Sequence, residues 1–231
     1  MIHFEARDAV AVLTLDNGTL NILTREMHRL LFESLQRFLR DDSLKVAVLT
    51  CKPGASFSAG DDLKSMDEDL GQELDWETLA MQVHRTKPIV GAVREHCLGQ
   101  GLLYLLLHTD IRVASPSARF GFPEIRHGMG GAAVVSQLAL QVPHTVAMQM
   151  TLTGESIAAD QALACHLINR IVPDEELLDN ALSLARAIAR HDLSALRVEM
   201  VAASRNRQLG PAETMALAEL LWQDRRPSSK A

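Results

Sequence analysis

The chain has 231 residues, 47% of them hydrophobic and 23% charged, and a formal net charge of −6. That length can bury a substantial core as one domain, with or without a small appendage, and the acidic balance argues against nucleic acid as a partner. No apolar run approaches the roughly 20 residues that a membrane helix needs, and no signal-peptide pattern opens the chain. Cys51, Cys97 and Cys165 are too few and too far apart for a disulfide framework or a metal site, so reduced thiols in a cytoplasmic protein are expected.

In chain order, Ile2 to Phe4 and Val10 to Leu15 read as two strands of a hairpin turning near Arg7 and Asp8. Thr24 is an N-cap for a helix whose stripe is Met27, Leu30, Leu31, Leu35, Phe38 and Leu39. Lys45 to Thr50 is a strand. Ser65 to Asp75 is acidic with little apolar pattern and reads as a loop; Trp76 to Thr86 is a short helix stopped before Pro88. Ile89 to Val93 is a buried strand, Leu102 to Leu107 an apolar helix, and Ile111 to Ala114 a further strand. Helices are expected over Ala132 to Gln141, from Pro143 onward, and from a Ser156 cap through Cys165, with a short strand at Asn169 to Val172. Beyond Pro173 only helix signals remain: Glu175 to Arg190, Leu193 to Asn206 and Pro211 to Asp224. Strands alternating with helices and then helices alone give an α/β core, residues 1–173, followed by a short helical C-terminal region, residues 174–231.

Two stretches carry glycine between a strand and a helix: Phe57-Ser58-Ala59-Gly60-Asp61-Asp62-Leu63 and Leu98-Gly99-Gln100-Gly101-Leu102. Glycine lets the backbone approach a ligand closely, and the first N–H groups of a helix have no internal acceptor. Two such turns can aim two N–H donors at one oxyanion. Phe120-Gly121-Phe122-Pro123-Glu124 adds a carboxylate, followed by Gly128-Met129-Gly130-Gly131.

These stretches, with Leu20-Asn21-Ile22-Leu23, Asp110-Ile111-Arg112-Val113-Ala114-Ser115, Leu152-Thr153-Gly154 and Ile168-Asn169-Arg170-Ile171-Val172-Pro173 in the same order, resemble the crotonase (enoyl-CoA hydratase/isomerase) superfamily over nearly the whole chain. The resemblance implies a spiral of ββα units with trailing helices that pack into a homotrimer, often doubled to a hexamer. It implies an acyl-CoA thioester as substrate, no cofactor beyond the coenzyme A of that substrate, and no metal. One oxyanion donor would be the backbone N–H of Asp61. The other would be that of Gln100 or of Gly101, because the stretch from Val93 to Asp110 is one residue longer than the usual family spacing. Glu124 matches the family's catalytic Glu, with Phe120, Phe122 and Met129 available to raise its pKa. Ala59, Gly60, Asp62, Leu63, Leu103, Tyr104, Phe122, Met129 and Gly130 would contact the substrate, and Arg25 and Lys64, with Lys52 nearby, would face the nucleotide.

Loss of one oxyanion-hole donor typically costs about 2.7–4 kcal/mol, so such a hole can carry enolate chemistry. One carboxylate departs from the pattern. Family hydratases carry a second Glu two or three residues after the glycine run, and here that place falls on Leu103 or Tyr104. A single Glu still suffices to carry a proton between C2 and C4, so the expectation is double-bond isomerisation of an enoyl-CoA. Asp61, Asp62, His96 and His127 lie near the motifs and could replace the missing group in a rebuilt hydratase. A non-catalytic acyl-CoA binding protein is the third reading.

Overall fold

The computed structural model describes residues 1–62, 74–206 and 210–224. In chain order its strands are β1 (Ile2–Arg7), β2 (Val10–Leu15), β3 (Val46–Cys51), β4 (Ile89–Val93), β5 (His96–Leu98), β6 (Ile111–Ala114), β7 (Arg119–Gly121), β8 (Ile157–Ala158) and β9 (Arg170–Ile171). Its helices are α1 (Arg25–Arg40), α2 (Trp76–Met81), α3 (Gln100–His108), α4 (Ala132–Leu138), α5 (His144–Thr153), α6 (Ala159–Ala164), α7 (Leu177–Ala189), α8 (Leu193–Asn206) and α9 (Pro211–Asp224), with a 3-10 turn at Pro123–His127.

The main sheet runs β1-β2-β3-β4-β6-β9. Only the β1–β2 pair is antiparallel; β2 to β9 are parallel neighbours. Side chains alternate across the sheet. Val10, Val12, Val46, Val48, Val90 and Val113 face α7, through Leu177, Ala181, Leu182 and Ala185. Leu13, Leu15, Ala47 and Leu49 face α1 with Met27, Leu31, Leu35 and Phe38. Covered on both faces, β3 is buried at every position, which is why its sequence is an unbroken run with little polar content.

A smaller sheet, β5-β7-β8, stands beside the first. It has the direct bearing on function, because it ties three loops together. Leu98 N donates to Ser58 O at 2.9 Å, and Gly99 N donates to Gly121 O at 3.0 Å. The two glycine turns and the segment leading to Glu124 are thus held by one hydrogen-bonded ladder.

Several elements differ from the sequence reading. α2 ends at Met81 rather than Thr86, and the helix expected from a Ser156 cap starts only at Ala159, after β8. β5 and β7, three residues each, were not expected; strands this short leave no periodicity to read. α7 packs on the main sheet, so α/β packing continues past the boundary expected at residue 173. The acidic loop expected over Ser65 to Asp75 falls, up to residue 73, outside the described residues; Asp75 itself caps α2, its side chain accepting from Thr78 N.

Candidate active site

Gly60 and Gly99 meet back to back. Both have positive φ, +102° and +53°, a region open to glycine at little cost. A Cβ on Gly99 would lie 3.7 Å from Gly60 Cα, and one on Gly60 would lie 3.3 Å from Leu98 O, so the two turns leave no room for side chains between them. In the first turn Gly60 N donates to Ser58 Oγ at 3.1 Å and Asp62 N donates to Leu23 O at 3.0 Å. The intervening N–H of Asp61 has no acceptor among the described residues. In the second, Gly99 is the N-cap of α3 and Gln100 its first residue, whose N–H likewise has no described acceptor.

Both residues line one cavity of about 920 Å³, together with Ile22, Thr24, Ala59, Gly60, Asp62, Gly99, Leu103, Glu124, His127, Met129, Gly130 and others. The sequence left the register of the second donor open between Gln100 and Gly101, and the two residues point different ways. Gln100 and Leu103, one helical turn apart, face the cavity. Gly101 and Tyr104 face inward: a Cβ on Gly101 would come 2.6 Å from Ser58 Cβ, and Tyr104 is buried. Gly101 and Tyr104 line a small separate pocket with Leu23 and Ser58; contrary to the expectation for Tyr104, neither is a lining residue of this cavity. Phe122 is not one either; on the extended backbone before Pro123 it turns into the hydrophobic core and is buried. Arg25 opens α1 immediately after cavity-lining Thr24 without lining the cavity itself. Lys52 pairs with Asp16 at 3.4 Å, away from the cavity wall. His96 belongs to β5 and is not in that wall. Leu63 and Lys64 lie outside the described residues.

Glu124 stands in the 3-10 turn after Pro123 and reaches back over the second glycine turn. Its Oε1 is 2.5 Å from where a Cβ of Gly99 would be, so only glycine at 99 admits the carboxylate here. Oε2 is buried and makes no hydrogen bond among the described residues. Burial raises the Glu124 pKa above its ordinary value, and the charge of Asp61 adds to the rise, against a backbone hydrogen bond and His127 that lower it. A carboxyl group with a raised pKa beside two N–H donors that have no described acceptor is suited to exchanging a proton with an atom next to a carbonyl held by those donors.

The sequence reading missed one group entirely. Glu77 of α2 lines the cavity, and its pKa is raised by burial and then by Asp61. His28 of α1 is buried, with Nδ1 2.7 Å from the Tyr104 hydroxyl and Nε2 3.4 Å from Asp61 Oδ1. On a helix read as an amphipathic stripe, one histidine among charged residues gives no signal. Glu77 follows an acidic stretch and reads as one more solvated acid.

The chain's likenesses to known proteins bear on this arrangement. The family described as enoyl-CoA hydratase/isomerase matches residues 5–223. The 2,3-dehydroadipyl-CoA hydratase of Escherichia coli (strain K12) is 35% identical over 225 residues, covering 92% of this chain and 86% of that protein. The (E)-benzylidenesuccinyl-CoA hydratase of Thauera aromatica is 30% identical over 243 residues, covering 100% and 94%. An enoyl-CoA hydratase from Mycobacterium tuberculosis H37Rv superposes with a TM-score of 0.89 at 26% identity, over 99% of this chain and 91% of that structure.

Proposed function

Since the chain belongs to the enoyl-CoA hydratase/isomerase family and has its crotonase fold, we propose that it converts enoyl-CoA thioesters through an enolate, with Glu124 as the group that moves the proton at C2. The thioester carbonyl oxygen takes two hydrogen bonds, from Asp61 N–H and Gln100 N–H, which strengthen as negative charge develops there. The observation that carries this reading is the Glu124 carboxyl group, half-buried and poised over the junction of the two glycine turns.

Glu124 alone can complete one reaction of this class. It takes a proton from C2 of a 3-enoyl thioester and returns it to C4, giving the 2-enoyl isomer with no net change in composition. The presence of Leu103 in the cavity wall, where a second carboxylate would stand in the family's hydratases, favours isomerisation. Hydration is the second reading, favoured by the names of the relatives, which are mostly hydratases. In both readings coenzyme A enters as part of the substrate, its nucleotide near Arg25, with no separate cofactor or metal. The reading extends to a cytoplasmic homotrimer or dimer of trimers.

Purified protein is mixed with 3-enoyl-CoA and, separately, 2-enoyl-CoA, and conjugation is followed by absorbance. We expect conversion of at least one, and a loss of about 10²–10⁴-fold in Glu124→Gln with acyl-CoA affinity little changed. Binding of both thioesters without turnover, with Glu124→Gln indistinguishable from the wild type, would replace the enzyme by an acyl-CoA binding protein.

A further inference from the structure

Proton transfer at Glu124 leaves a group of polar side chains in the same cavity unused. Asp61, Glu77 and His28 each offer an atom, two carboxylate oxygens and an imidazole nitrogen, all within 4.8 Å of one another. Asp61 Oδ1 is buried and makes no hydrogen bond among the described residues. Beyond His28 the Tyr104 hydroxyl bonds Nδ1 at 2.7 Å, which fixes the ring and leaves Nε2 toward Asp61. The Gln100 carboxamide adjoins that same hydroxyl, without a regular hydrogen bond from Nε2. Gln100 is only 8% exposed, lines the cavity, and its Nε2 donates to no described acceptor.

A buried amide donor left unpaired costs free energy unless a ligand meets it. Here the Gln100 amide donor and the Asp61 and Glu77 carboxylates share one cavity with an apolar neighbour, Leu103, and Asp61 Oδ1 has only the long 3.4 Å approach of His28 Nε2. Carboxylates accept and an amide N–H donates, so the partner they have in common is a small group that does both: water, or a hydroxyl on the acyl chain.

We propose that Glu77 is a second acid/base group of this site and that, with Asp61 and Gln100, it holds a water molecule, or the C3 hydroxyl of a 3-hydroxyacyl thioester, beside the bound acyl chain. The carboxylate missing from α3 at Leu103 is thereby supplied by α2. In hydration of a 2-enoyl thioester, ionised Glu77 takes one proton from water while the water oxygen bonds to C3. The C2–C3 π pair moves to form the enolate, whose oxygen is held by the Asp61 and Gln100 N–H groups. Protonated Glu124 then delivers its proton to C2. The products are the 3-hydroxyacyl thioester, a protonated Glu77 and an ionised Glu124, and solvent exchange restores both. Dehydration is the reverse. The other residues keep the roles given above; His28 and Tyr104 position Asp61 and do not touch the substrate.

The proposal rests on the enolate reading, and its test separates the two. Two rates are measured on the same preparation: hydration of a 2-enoyl-CoA, and exchange of the C2 hydrogen of a saturated acyl-CoA for deuterium, which requires Glu124 and the N–H donors but no water addition. Glu77→Gln should lower the ratio of hydration to exchange by about 10²-fold or more, the usual worth of a general acid–base group. Glu77→Asp should recover part of it, and Glu124→Gln should lower both rates together. An unchanged ratio in Glu77→Gln overturns the proposal, as does a wild type that exchanges C2 but never hydrates. Hydration abolished by a chelator and restored by a divalent cation would assign the cluster to a metal ion and overturn it too. A wild type that binds acyl-CoA and does neither reaction overturns the enolate reading itself.

Discussion

Gln100 shows how much rests on a single backbone atom. Its side chain is a large amide at a place where the neighbouring positions, 99 and 101, are glycine. Its proposed contribution to the oxyanion is the N–H of the first residue of α3, which no helix carbonyl can reach. The two roles come apart in mutants. Gln100→Ala keeps the N–H and should keep substantial enolate chemistry. Gln100→Pro removes the N–H at the one helical position where proline is well accommodated, so the variant should fold and lose about 10²–10³-fold in turnover. A folded Gln100→Pro variant with the wild-type rate would assign the second donor elsewhere. That Glu124 lies at the cavity was legible in the sequence, since Phe-Gly-x-Pro-Glu singles out the residue. That Phe122 turns into the core was not, because which way a side chain points beside a 3-10 turn depends on packing from outside that segment; Met129, expected against the substrate, does line the cavity.

At the scale of elements, the long periodic segments read directly. The stripe Met27, Leu31, Leu35 and Phe38 is the buried face of α1, and the valine runs of β2, β3 and β4 are strands covered on both faces. What escaped were short pieces stabilised by partners distant in sequence. β5 pairs with β7 through His96 to Leu98 and Arg119 to Gly121, and no window of sequence contains both. The same limit explains Glu77 and His28. Three segments, α1, the first glycine turn and α2, bring His28, Asp61 and Glu77 together from 49 positions of chain, Glu77 minus His28. Local pattern assigns each of them to a surface or a stripe; only the assembled cavity makes them neighbours. The proposed preference for Gln100 over Gly101 as a donor also draws on the fold, because it turns on which face of α3 meets Ser58.

Across the whole molecule, the α/β core is well packed, whereas α8 and α9 are not. Every residue of these two helices whose burial is described, residues 193–204 and 211–221, is partly or fully exposed, among them Leu196, Val198, Val201 and Leu217, with Met215 71% and Leu220 64% exposed. Ties to the rest of the chain include the Arg197–Asp42 ion pair on the surface, which contributes little by itself. Exposed apolar surface of this kind is what a protein interface covers, and we predict that a second and third copy of the chain cover it. Light scattering at micromolar concentration should return the mass of a trimer or of a dimer of trimers, against 25.4 kDa for one chain; a monomeric mass would remove that account of the tail.

The central claim is that this cavity forms a thioester enolate through Glu124. Exchange of the C2 hydrogens of a saturated acyl-CoA in deuterium oxide, followed by proton NMR, tests it without any assumption about double bonds or water addition. The wild type should wash deuterium into C2, and Glu124→Gln, binding the same thioester, should do so about 10²–10⁴-fold more slowly. A wild type that binds the thioester but exchanges C2 no faster than buffer, or a Glu124→Gln variant that exchanges as fast as the wild type, would contradict it.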